Sequence, residues 1–78
     1  MPHISVKMLK GRTEEQKQKL ASALTNALKE SLGVGDTHIS LTIEDYDAQA
    51  WQSVFKEEIT DKKDVLYKKP NYNPEDLL

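Results

Sequence analysis

The chain opens Met1-Pro2-His3-Ile4, and its second residue, if freed of Met1, offers a secondary amine at the head of the chain. Methionine aminopeptidases remove Met when the next residue is small, and Pro qualifies, so the mature chain is expected to start with the secondary amine of Pro2. A free α-amino group has a pKa of about 7.7–8.0, and partial burial beside apolar groups or a cation disfavours its charged form. A fixed, partly desolvated amine titrating near neutrality is a good general base. A Met-Pro start on its own is common and specifies nothing, so Pro2 needs support from other residues. His3 and His38 are two potential metal ligands without a suitably spaced third, which makes a poor site, and both are read as polar-face residues of strands. Glu44, Asp45 and Asp47 cluster after the second alternating segment, as the residues of a solvated turn do. The pairs Lys62-Lys63 and Lys68-Lys69 are flanked by acids and read as a solvated face rather than a nucleic-acid footprint.

The elements that would position these residues must come from a small chain. It has 78 residues, three Gly, three Pro and no Cys, which suits a single domain over residues 1–78 and excludes disulfides and Cys-based zinc sites. A chain this short buries little more than ~60% of the surface that its unfolded form exposes, so its core is marginal without partners. The net charge of −2 gives no long-range attraction for nucleic acid or an anionic membrane. No apolar run reaches the ~20 residues of a membrane span, and Met-Pro-His-Ile lacks the regions of a signal peptide. A cytoplasmic protein with no nucleic-acid or membrane partner is the default expectation.

Two segments alternate with period two, His3-Ile4-Ser5-Val6-Lys7-Met8 and His38-Ile39-Ser40-Leu41-Thr42-Ile43, as strands covered on one face do. Between them Thr13-Glu14-Glu15-Gln16 reads as a capping box, with Thr13 as N-cap. Leu20, Ala23, Leu24, Ala27, Leu28 and Leu32 then form an apolar stripe at helical spacing that ends in Gly33-Val34-Gly35. Strand, crossover helix and strand predict a right-handed β-α-β unit with parallel strands. A second stripe of Trp51, Val54, Phe55, Ile59, Val65 and Leu66 predicts a C-terminal helix, weak where Lys62 interrupts it, and an irregular tail follows from about residue 70. The fold class is therefore α/β. Two parallel strands leave both edges open, and parallel sheets are found buried, so the sheet is expected to be completed by homo-oligomerisation across a two-fold axis.

The Pro2 start, the strand, the run Leu9-Lys10-Gly11-Arg12-Thr13-Glu14-Glu15-Gln16-Lys17 and a second strand from residue 38 to residue 44 resemble the 4-oxalocrotonate tautomerase family of the tautomerase superfamily. The resemblance runs to about residue 55, and the stretch from Gly11 to Lys17 is its most specific part. Trp51-Gln52 and the ending Lys68-Lys69-Pro70-Asn71-Tyr72 look like a longer bacterial subgroup that acts as dimers. The resemblance implies that Pro2 is the base moving a proton in an enol or dienol acid. It implies Arg12 as a carboxylate binder and Trp51 as an apolar wall where other members carry Phe. The planar fork of an arginine suits a carboxylate, and its charge discourages protonation of a nearby amine. Read without the resemblance, Arg12 is a solvated loop arginine and Trp51 a core or interface anchor.

Pro2 stands before the first strand and Arg12 beyond it, on the order of 20–30 Å apart within one chain at ~3.3 Å per residue. If both act on one substrate, Arg12 is expected from a neighbouring copy. Ser40 stands where hexameric relatives carry a second arginine; it offers a hydroxyl without charge, which points to a smaller or monocarboxylic 2-keto acid enol and favours a dimer over a hexamer. The expected activity is that of a cofactor-independent tautomerase, with catalytic Pro2 and substrate-binding Arg12, Trp51 and Ser40, and with neither metal nor cofactor. Two readings stand beside it: a hydratase or dehalogenase-like enzyme on an unsaturated acid, which needs a water-activating carboxylate near Pro2, and a non-catalytic oligomeric binding module.

Overall fold

Alternating side chains shape the first element. In the computed structural model, which describes residues 1–78, β1 spans His3–Leu9, with Ile4 and Val6 half-buried and His3 and Ser5 exposed. The chain leaves β1 through Gly11 at φ +132°, a backbone conformation that residues with a Cβ rarely adopt. It then enters α1, Glu14–Leu32, through the expected capping box. The Gln16 N–H donates to Thr13 Oγ1 at 3.1 Å, and the Thr13 N–H donates to Gln16 Oε1 at 2.9 Å. These bonds meet donors that the start of a helix otherwise leaves to water. Gly33, left-handed at φ +67°, ends α1 and donates its N–H to the Lys29 carbonyl.

β2, Ser40–Tyr46, pairs with β1 in a two-stranded parallel sheet, so strand, helix and strand form the expected β-α-β unit. The register sets His3 beside Ser40 and Lys7 beside Glu44. β2 starts two residues later than the alternation predicts. Residues Asp36–His38 instead form a short 3-10 turn, in which the His38 and Ile39 N–H groups donate to Gly35 and Asp36 carbonyls. His38 is therefore a turn residue, not a residue of a strand's polar face.

Two compact units divide the chain. The first holds Met1–Lys7 and Gly11–Glu44, and the second holds Met8–Lys10 and Asp45–Leu78. In the first unit, the partly covered face of α1 runs through Lys17, Leu20, Ala21, Leu24, Thr25 and Leu28, while Ala23, Ala27 and Leu32 of the expected stripe are exposed. No residue of α1 is buried.

In the second unit, the end of the strand ladder is closed by the Lys10 N–H donating to the Tyr46 carbonyl at 2.8 Å. α2 spans Ala48–Glu58, with Asp47 as its N-cap and Val54 buried. The predicted helix stops short of Val65: a 3-10 segment over Thr60–Val65 is kinked at Lys62 (φ −116°, ψ 32°), and Val65 is exposed. The break falls where the apolar period fails. Asp61 accepts a hydrogen bond from Lys56 at 2.8 Å, and that bond with its charge holds the Lys56 ammonium above its ordinary pKa. The tail ends in one 3-10 turn, Pro74–Leu77, where irregular chain was expected. No helix is long and apolar enough to cross a membrane.

The cap geometry predicts that Thr13→Ala lowers the unfolding free energy by about 1 kcal/mol in urea titration, whereas Thr13→Ser, which keeps the hydroxyl, stays near the parent.

Candidate active site

Pro2 owes its placement to the ladder. It lies immediately before β1, half-buried, and its carbonyl accepts a hydrogen bond from the Ser40 N–H at 3.3 Å. As the sequence stands its nitrogen is an amide bonded to Met1, and the Met1 Sδ lies 3.4 Å from His38 Nδ1. Ser40, the first residue of β2, shares a 2.7 Å hydrogen bond between its Oγ and His3 Nδ1 across the strands. Where Nδ1 carries the proton, the serine hydroxyl hydrogen is released toward a further acceptor. The parallel register thus brings Pro2, His3, Ser40 and His38 to one end of the strand pair.

Arg12 lies elsewhere in the first unit. It sits in the exposed turn between Gly11 and the Thr13 cap, and the seven residues of β1 separate it from Pro2. Seven extended residues span about 23 Å. One copy of the chain therefore does not bring the Pro2 backbone and the Arg12 backbone together.

Trp51 belongs to the second unit. It occupies the first turn of α2, where its N–H donates to the Asp47 carbonyl at 2.9 Å. Its half-buried indole donates from Nε1 to the Tyr72 hydroxyl at 2.9 Å and meets the Tyr46 ring edge-on, with centroids 6.3 Å apart. A cleft of about 590 Å³ in the same unit is lined by Phe55, Ile59, Lys63, Leu66, Lys69 and Tyr72 among others, but not by Pro2, Arg12, Ser40 or Trp51.

Two acids of the 44–47 cluster have structural work. Glu44 Oε1 accepts from Lys7 Nζ at 2.8 Å, four residues along the ladder from Ser40, and Asp47 Oδ1 accepts from the Ala50 N–H at 2.7 Å as the cap of α2. No group of three or more His, Cys, Asp or Glu side chains is placed to hold a metal ion. Sequence reasoning missed the His3–Ser40 pairing and the bonds of Trp51 and Gln52 to the tail. The repeated His-Ile-Ser points away from the first, because it matches His3 with His38 and not with Ser40.

Comparison with known proteins identifies the family. The family model described as "Tautomerase enzyme" matches residues 2–61, so the match begins at Pro2. A "Probable tautomerase" of Xylella fastidiosa strain 9a5c is 37% identical over 73 residues, covering 92% of this chain and 89% of the relative. Tautomerase PptA of Escherichia coli O157:H7 is 32% identical over 74 residues, covering 94% and 99%. Among solved structures, YwhB, a homologue of 4-oxalocrotonate tautomerase, superposes with a TM-score of 0.59 at 42% identity, covering 60% of this chain and 77% of that one. TomN, a 4-oxalocrotonate tautomerase homologue in the tomaymycin biosynthetic pathway, gives 0.62 at 32% identity, covering 64% and 77%. The chain belongs to the tautomerase family, a family of isomerases, among the homologues of 4-oxalocrotonate tautomerase.

The role of Asp47 as a cap has a direct check. Asp47→Asn is expected to keep both stability and turnover, because Asn caps as well as Asp, whereas Asp47→Ala loses about 1 kcal/mol of stability. Thermal melts of the two variants, with an assay of water addition to an unsaturated acid beside the tautomerisation assay, separate a cap from a water-activating acid.

Proposed function

We propose that the chain, once Met1 is removed, catalyses keto-enol tautomerisation of a small 2-keto acid, with the Pro2 amine as general base. The observation that carries this reading is that Pro2 begins the family match, sits half-buried at the head of β1 and is pinned by the Ser40 N–H. A base fixed in this way loses little freedom when the substrate arrives. The amine accepts the proton of the enol hydroxyl as that O–H bond breaks. The electron pair of the C=C bond then takes a proton back from the ammonium at carbon, and the carbonyl forms. The proton count is unchanged, no electrons leave the substrate, and the cycle calls for no cofactor.

Arg12 binds the substrate carboxylate through its planar fork. Trp51 supplies an apolar wall. The His3–Ser40 pair offers an uncharged donor near Pro2, and donors aimed at developing charge on oxygen stabilise the transition state. With a hydroxyl in place of a second guanidinium, the site suits a monocarboxylic enol better than a dicarboxylate.

The working form is a homo-oligomer, with a dimer favoured over a hexamer. A two-stranded sheet with open edges, a helix without a buried residue, and the exposed Ala23, Ala27 and Leu32 all call for cover by another copy. A two-fold partner running the other way would bring its Arg12 toward Pro2 and meet both needs at once.

Intact-mass measurement is expected to give a chain lighter by one methionine. On the enol of phenylpyruvate, Pro2→Ala is expected to lose about 100-fold or more in kcat/KM, the scale of a positioned general base. Equal rates for the two proteins would overturn the catalytic reading and leave a binding module.

A further inference from the structure

Three residues of α2 hold the tail. Trp51 Nε1–H donates to the Tyr72 hydroxyl at 2.9 Å. One turn further along the helix, Phe55 meets the Tyr72 ring edge-on, with centroids 5.5 Å apart and planes at 71°. Between them Gln52 Nε2 donates both to the Ala48 carbonyl of its own helix at 3.1 Å and to the Pro74 carbonyl of the tail at 2.8 Å. These contacts occur within the second unit, and the tail lies beyond residue 61, where the family match ends.

We infer that Tyr72 is a positioning residue that fixes the orientation of the Trp51 indole, and thereby sets how large a substrate the wall formed by Trp51 accepts. The inference rests on the proposed role of Trp51. An indole attached to the first turn of a half-exposed helix has two torsions to settle, and the second is broad. Its single N–H bonded to a fixed oxygen selects one setting, and the T-shaped contact with Phe55 holds that oxygen in place. Tyr46 packs edge-on against the indole, 61° from its plane. Without the hydroxyl, the indole N–H finds water at little cost to stability, because Tyr72 is itself 40% exposed, but the ring is no longer held at one angle.

Trp51 is the one tryptophan of the chain, so its fluorescence reports this site alone. Tyr72→Phe removes one oxygen and keeps the Phe55 contact. It is expected to shift Trp51 emission to longer wavelength and lower its anisotropy. It is also expected to raise KM for the phenylpyruvate enol about three- to tenfold, the scale of one neutral hydrogen bond, with kcat and the KM for pyruvate enol nearly unchanged. In a Trp51→Phe background the same substitution is expected to change neither KM. Tyr72→Ala, which also removes the ring, is expected to act in the same direction more strongly. Unchanged emission in Tyr72→Phe would overturn the brace, and so would a KM rise that persists without Trp51. Emission needs no turnover: a parent protein without tautomerase activity would refute the proposed function, together with the substrate-size consequence, while the spectrum still decides whether Tyr72 holds the indole.

Discussion

The length of β1 governs how this chain can work. The seven extended residues of β1, hydrogen-bonded along β2, lie between Pro2 and the turn that carries Arg12. A paired strand does not fold back on itself, so the backbones of Pro2 and Arg12 are held at opposite ends of a strand about 23 Å long in one copy. The same strand pair leaves its edges open, and α1 has no buried residue. Under the proposed mechanism, a second copy placed antiparallel to the first would meet both the demand for cover and the demand for a complete site. On this reading, folding stability and catalysis come from the same interface.

Much of the β-α-β unit was legible because each element carries its own local signature. Ile4 and Val6 alternate with His3 and Ser5, and Thr13 and Gln16 stand at the spacing that lets each satisfy the other's N–H. Gly33 marks the position where only a left-handed residue ends the helix. The misreadings have equally local causes. At Asp36–His38 a turn competes with an alternating pattern and takes its first residues, so His38 leaves the strand. At Lys62 the apolar period breaks, and the backbone breaks with it. Along α1, period alone did not fix which side of the stripe is covered: Ala23, Ala27 and Leu32 belong to the pattern but not to the half-buried face.

The candidate site was legible in its members more than in their pairings. Pro2 and Arg12 became candidates only through the resemblance of the stretches around them, since a Met-Pro start and a loop arginine taken alone specify nothing. The bond between His3 and Ser40 depends on a register 37 residues apart, set by the helix and both loops, and no local pattern encodes it. The bond between Trp51 and Tyr72 joins a helix to an aperiodic tail, and a single aromatic hydroxyl in such a segment carries no sequence signal. The acids from Glu44 to Asp47, at the end of β2 and just past it, illustrate the reverse. Their chemistry would allow water activation, but Glu44 is taken by a lysine and Asp47 by a helix start.

Subunit complementation tests the shared site most directly. Pro2→Ala and Arg12→Ala chains, each inactive alone, are unfolded together, refolded as a mixture and assayed on a 2-keto acid enol. In a two-fold dimer half of the assemblies are mixed, and each of these has one site with an intact Pro2 from one copy and an intact Arg12 from the other, so about a quarter of the parent activity returns. No recovery, from a mixture shown to exchange subunits, would mean that Pro2 does not draw its arginine from a partner and would contradict the account.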